Sequence, residues 1–166
     1  GWLTTDMFNG YAQRATVISG AAGDHDGEIS FMLSRRNSGG GHVDAGLRPF
    51  DDAEVVTTPL HTLDSLAPDR VDLIRMDAEG SEPQILRGAE RLLAQREIII
   101  CMEWDIRQMG YRTPVSGFAH WLGDMGFGFW RIETIRSFTR LAVQDMETMP
   151  HCEVLISRND LSSRSG

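Results

Sequence analysis

The sequence is poor in cysteine, in positive charge and in long apolar runs. It has two cysteines in 166 residues, Cys101 and Cys152. Two cysteines without clustered partners build neither a disulfide framework nor a zinc site. Each lies in an apolar stretch, IIICMEW and HCEVLIS, and reads as a small buried thiol of a reducing, cytoplasmic compartment. Sixteen Lys and Arg stand against 24 Asp and Glu, a net charge of −8. A grip on nucleic acid needs a basic face, which this balance argues against. No apolar run approaches the ~20 residues of a membrane helix. The opening GWLTTDMF has no basic or hydrophobic segment of a signal peptide. The five histidines, His25, His42, His61, His120 and His151, make no pair at ligand spacing. Ser38 and Ser81 lack a nucleophile elbow.

What is present is an ordinary globular mixture, 41% apolar and 24% charged, sized for one domain. Residues 3–13 carry a helical spacing of apolar residues, with Thr5 or Asp6 as cap. ATVIS (15–19), EISFML (28–33) and EVVTTPL (54–60) read as strands, and GAAGDHDG (20–27) as a loop. Residues 35–53 form a long glycine-rich loop, of a length that is usually functional or disordered. Arg35 and Arg36 open it as solvated charges, and His42 within it is the histidine best placed for substrate contact or proton transfer. HTLDSLAP is a short helix.

The clearest unit spans 71–104. VDLIRM is a strand and SEPQILRGAERLLAQ (81–95) a helix, with Ser81 as N-cap, Gln84 at the capping-box position and Pro83 in the first turn. EIIICMEW (97–104) is the next strand, its near-continuous apolarity predicting cover on both faces. A helix over 114–126 and strands at 127–134 and 152–158 follow, the last two suiting an antiparallel hairpin at a sheet edge; residues 138–150 are ambiguous. The order predicts an α/β fold with a mostly parallel sheet. The tryptophans Trp104, Trp121 and Trp130 read as core.

Three carboxylates crowd the end of VDLIRMDAEGSE: Asp77, Glu79 and Glu82. A helix dipole favours acids in its first turn by ~0.3–1 kcal/mol each, which accounts for Glu82 well, Glu79 partly and Asp77 poorly. In open α/β sheets ligands bind beyond the carboxyl ends of parallel strands. Asp77 ends one strand, and Glu103 with Asp105 ends the next, so Asp77 and Glu103 are predicted to face one crevice. Such a pair can hold an ammonium group or act as base toward a hydroxyl. Asp77, Glu79 and Glu103 could equally bind a hard divalent cation.

These segments resemble the signature of FkbM-type methyltransferases. The matching blocks are IRMDAEGSE, ILRGAE and IIICME, preceded in order by ATVISGAAGDHDGEISF, NSGGG and HTLDSL. The resemblance covers roughly residues 9–105. It implies a class I, Rossmann-like fold, S-adenosyl-L-methionine as methyl donor, and methylation of hydroxyl oxygens on small molecules or sugars. It implies Asp77 near the methionine moiety or the reacting hydroxyl, with Glu79 and Glu103 as catalytic candidates. Glu82, His42 and Trp104 are the substrate candidates. Gly20, Ala21 and Ala22 would lie against the adenine, and Asp24 would bond its amino group.

The chain departs from that family pattern in one respect. The family's first strand with its glycine-rich loop, and the next strand with its ribose-binding acid, have no counterpart here. ATVIS resembles the third strand, and the GGG at 39–41 follows no apolar strand. The expectation is a partial methyltransferase domain over 1–158, from the third strand onward, and a polar tail at 159–166. It would have a small-molecule or sugar substrate, no nucleic-acid or membrane partner, and a homodimer as a possible assembly. The competing readings are a catalytically silent α/β interaction module and a divalent-metal-dependent hydrolase. The isolated 166 residues are predicted to bind S-adenosyl-L-methionine weakly or not at all, and micromolar binding by titration calorimetry would sink that expectation.

Overall fold

The structure, a computed structural model, describes residues 14–34, 42–43 and 53–161. The helix expected over 3–13, Arg35, Arg36, Ser38 and the GGG at 39–41 lie outside the described residues. ATVIS forms no strand: Val17 and Ile18 are about half exposed, at 54% and 49%. β-Branched residues favour a strand only where a ladder and packed neighbours exist, and the described residues supply neither here. The loop expected at 20–27 instead opens with a short strand, β1 (Ala21–Ala22). It is followed by β2 (Gly27–Ser34), β3 (His42–Val43) and β4 (Ala53–His61). These make a four-stranded sheet in the order β1-β4-β2-β3. β2 and β4 pair antiparallel from Gly27 opposite Leu60 to Ser34 opposite Ala53. β1 runs parallel to the end of β4, with Ala22 opposite His61.

After α1 (Leu63–Leu66) come β5 (Leu73–Met76), α2 (Glu82–Arg87), α3 (Glu90–Leu93) and β6 (Ile99–Trp104). Then follow α4 (Ile106–Gly110), α5 (Val115–Asp124), β7 (Gly128–Thr134), β8 (Ser137–Leu141), a 3-10 helix (Val143–Glu147) and β9 (Cys152–Ser157). The second sheet has the order β5-β6-β9-β7-β8. Both sheets are mixed, which corrects the expectation of a mostly parallel one. In the second sheet only β5 and β6 pair in parallel, because a helical crossover joins them. β9 inserts between β6 and β7 and runs antiparallel to both. β5, β6 and β7 therefore share one direction. The late strands pair as expected, yet not at the edge: the ambiguous segment supplies β8, which hairpins onto β7 and takes that place.

One face of this sheet is closed. Ile74, Met76, Ile100, Met102, Trp104, Phe129, Val154 and Ile156 pack against Leu86, Leu92, Leu93, Met109, Phe118 and Leu122 of the helices. The other face is less covered. Burial along β6 alternates, with Ile99, Cys101 and Glu103 half-buried between fully buried neighbours. The two-sided cover predicted from its apolar run is thus not met among the described residues. Burial pushes the free thiols of Cys101 and Cys152 up from the ordinary cysteine range. In the polar tail Leu161 is buried and Asn159 Nδ2 donates to Glu97 Oε2 at 3.2 Å, so its first residues are packed.

The helix expected over 81–95 breaks at Gly88–Ala89 into α2 and α3. A Cβ on Gly88 would collide with the carbonyl oxygen of Gly23, so glycine is required where the segment after β1 crosses the helix. The break leaves the first N–H groups of α3 without helical partners. Asp64 of α1 takes two of them, Oδ2 from Arg91 N at 2.7 Å and Oδ1 from Leu92 N at 3.0 Å. In return Arg91 Nη2 donates to the α1 carbonyls of Asp64 at 2.8 Å and Ala67 at 3.2 Å. Thr62 Oγ1 caps α1 by accepting from Ser65 N at 3.1 Å. The two short helices thus cap one another. Asp64→Ala is expected to lower stability to urea by about 1–2 kcal/mol, the usual worth of a lost cap, and Asp64→Asn by less; equal denaturation midpoints for wild type and Asp64→Ala would contradict the arrangement.

Candidate active site

The parallel register of β5 and β6 places Arg75 opposite Cys101 and Met76 opposite Met102. Carried one residue further, it sets Asp77 beside Glu103, on the face that carries Arg75 and Cys101. Asp77 is exposed, and so is Glu79. Between β5 and α2 the chain makes a tight turn, closed by Ser81 N donating to the Ala78 carbonyl at 3.0 Å. Glu79 and Gly80 both have left-handed backbone, with φ of 51° and 86°. For Glu79 that costs about 1 kcal/mol. At Gly80 a Cβ would lie 2.5 Å from the carbonyl carbon and oxygen of Gln108, so α4 can pack here only against glycine.

The helix start differs from the capping box expected. Ser81 makes no side-chain cap; its Oγ accepts from the Arg112 guanidinium. Gln84 Nε2 donates to Thr113 Oγ1 at 2.8 Å. Glu82 closes the turn instead, its Oε1 accepting from Ala78 N at 2.7 Å. Glu82 is 2% exposed, and its Oε2 is buried without a partner among the described residues. Burial raises its carboxyl above the ordinary glutamate range, backbone hydrogen bonds oppose that, and the charge of Glu103 adds to it.

Glu103 lies directly across the ladder from Glu153, a like-charged pair that is unfavourable by itself. Each acid has a basic partner. Arg75 reaches from β5 across Cys101 to Glu153 Oε1 at 2.8 Å. His151 Nε2 lies 2.5 Å from Glu103 Oε1, with side-chain exposures of 61% for the histidine and 18% for the glutamate. Asp105 is a structural cap, accepting from Arg107 N at 2.8 Å and Gln108 N at 3.2 Å at the start of α4.

The predicted residues divide as follows. Asp77, Glu79 and Glu103 gather at the carboxyl ends of β5 and β6, with Glu82 buried in the turn. Trp104 does not face the crevice: it is 0% exposed, stacks on Phe118, and its Nε1 donates to the Met146 carbonyl at 3.0 Å. Its side chain falls on the helix-covered face because it alternates with Glu103 along the strand. Gly20, Ala21, Ala22 and Asp24 lie with the other sheet. A Cβ on Gly20 would meet the Pro59 carbonyl oxygen at 2.9 Å and the His61 ring at 3.0 Å, so β4 itself uses that small residue. Ala22 packs against the core, and Asp24 Oδ1 lies 2.6 Å from His25 Nδ1 at the surface. Asp26 holds α1, accepting from Thr62 N and Ser65 Oγ at 2.8 Å each, and these bonds lower its carboxyl below the ordinary range. His42 stands in β3 opposite Met32, its side chain outside the description. His151 and Arg75 were not singled out in the sequence. Arg75 sits two residues before Asp77, hence on its face, while His151 is placed only by the β6–β9 register.

Among the described residues no three His, Cys, Asp or Glu side chains form a group able to hold a metal ion, so Asp77, Glu79 and Glu103 make no such set. No described helix is long and apolar enough to cross a membrane. Comparison with curated proteins and with solved structures returned no match. The family model described as the methyltransferase FkbM domain matches residues 9–131, about three quarters of the chain, including β5, the acidic turn, α2, α3 and β6. The chain belongs to the FkbM methyltransferase family.

Proposed function

We propose that this chain serves S-adenosyl-L-methionine-dependent methylation of a hydroxyl group on a small molecule or sugar, at the crevice beyond β5 and β6. The observation that carries the reading is the parallel pairing of β5 and β6, which Asp77 follows and in which Glu103 lies, in a member of a methyltransferase family. Strand ends of this kind are where α/β sheets bind ligands, and the shared direction of β5, β6 and β7 supports the Rossmann-like reading. The lining also suits the donor chemically. A sulfonium and an α-ammonium group are both cationic, and the strand ends offer the exposed carboxylates of Asp77 and Glu79. These residues would hold the donor, which when bound supplies an activated methyl group. The net charge of −8 supports a small neutral acceptor over a nucleic acid.

In this reading Asp77 orients the reacting groups. Its place follows from the Gly80 turn, and the methyl transfer gains chiefly from proximity and alignment. Asp77→Asn keeps the shape and removes the charge. In the complete protein it is expected to reduce methyl transfer about 100-fold, the scale of a small misplacement of reacting groups, with an unchanged circular-dichroism spectrum. Full activity of Asp77→Asn, measured by transfer of labelled methyl groups to a hydroxylated acceptor, would remove Asp77 from the site.

A further inference from the structure

We propose that His151, held by Glu103, is the general base that takes the proton of the acceptor hydroxyl; the inference rests on the methyl-transfer reading above. The two side chains come from segments 48 residues apart, β6 and the residue just before β9, and meet at 2.5 Å. They meet at the end of β6 next to β5, where the β5–β6 register, continued one residue past Met76–Met102, sets Asp77 beside Glu103.

The chemistry of the pair follows from its donors and acceptors. An ionised carboxylate can only accept. With Nε2 against Glu103 Oε1, that nitrogen must carry the proton, which leaves Nδ1 of the neutral ring as a bare acceptor. The carboxylate is largely shielded and the imidazole largely exposed, at 18% and 61%. The half-buried partner therefore fixes the ring while the ring faces outward. An imidazole is a stronger base than an ordinary carboxylate near neutral pH, so it suits proton removal better than Asp77 does. Acidic groups predominate around it. Glu103 faces it from β6 and Glu153 is the second residue of β9 beyond it, with Arg75 of β5 paired to Glu153. Asp77 ends β5 and Glu82 lies in the turn to α2, near enough for Glu103 to act on it.

The step balances without a further reagent. The acceptor oxygen forms the new C–O bond to the methyl carbon as the C–S bond of the sulfonium donor breaks, its electron pair remaining on sulfur. The hydroxyl proton passes to His151 Nδ1, the imidazolium pairs with Glu103, and water removes the proton after the products leave.

The test has two parts. In the complete protein carrying S-adenosyl-L-methionine, with labelled methyl transfer to a panel of hydroxylated small molecules and sugars, His151→Gln is expected to lower turnover about 100-fold. It should also abolish the rise in rate with pH, while donor binding by calorimetry stays unchanged. Glu103→Gln should lower turnover less and keep a pH-dependent rate. Independently of turnover, long-range proton–nitrogen NMR of the protein without donor should show Nε2 of His151 protonated and Nδ1 bare above neutral pH, a preference that Glu103→Gln relaxes. A His151→Gln enzyme with wild-type rate and pH profile would overturn the base role and leave the methyl-transfer reading standing. A wild-type protein that binds the donor but transfers no methyl group to any hydroxyl would overturn both. A wild-type ring protonated on Nδ1 would overturn the dyad alone.

Discussion

The contact between the backbones of Gly80 and Gln108 governs the acidic end of β5. With no room for a Cβ at Gly80, α4 settles directly on the turn that follows the strand. That closeness lets one short turn, Ala78 to Glu82, end the strand and start the helix, with two left-handed residues in succession. The turn exposes Asp77 and Glu79 and buries Glu82. A wider turn would move the three carboxylates together, so their separate environments depend on this single approach. The cost of left-handed Glu79 is small, about 1 kcal/mol, beside the burial of Leu86, Met109 and their neighbours, each worth roughly 1.5–3 kcal/mol.

A second close approach, Gly88 against Gly23, accompanies the junction between α1 and α3. HTLDSL and LRGAE are far apart in the chain, yet they are two halves of one arrangement. The glycine admits the crossing segment and breaks the helix, Asp64 caps the new helix start, and Arg91 caps the helix that bears Asp64. This pair builds scaffold, whereas DAEGSE and the end of β6 place acidic side chains at adjacent strand ends.

The acids at the site are tolerable because each is answered differently. Asp77 and Glu79 meet solvent, Glu153 meets Arg75 and Glu103 meets His151. Glu82 is answered by a backbone N–H on Oε1, which lowers its carboxyl, but burial outweighs that and raises it. The strand ends thus present mostly acidic side chains to solvent, with His151 set against Glu103.

Local sequence was sufficient for much of this. Apolar runs and turn residues placed β2, β4, α1, β6, α5, β7 and β9 within a few residues, and the conjunction of DAEGSE with IIICME identified both the parallel pair and the family. The carboxylates at its strand ends followed from the same reasoning, because strand direction and side-chain alternation are local properties. Tertiary structure decided the remainder. ATVIS has strand propensity but no ladder, so propensity alone misled. The helix over 81–95 was periodic throughout, and only the crossing at Gly23 broke it. Ser81 and Gln84 matched a capping box, but Arg112 and Thr113 claimed them. Trp104 and Glu103 are neighbours in sequence and opposites in space, since one packs against the helices and the other lies on the opposite, less covered face. His151 could be found only through the β6–β9 register, because pairing across a sheet depends on which strands become neighbours, and no local pattern encodes that choice.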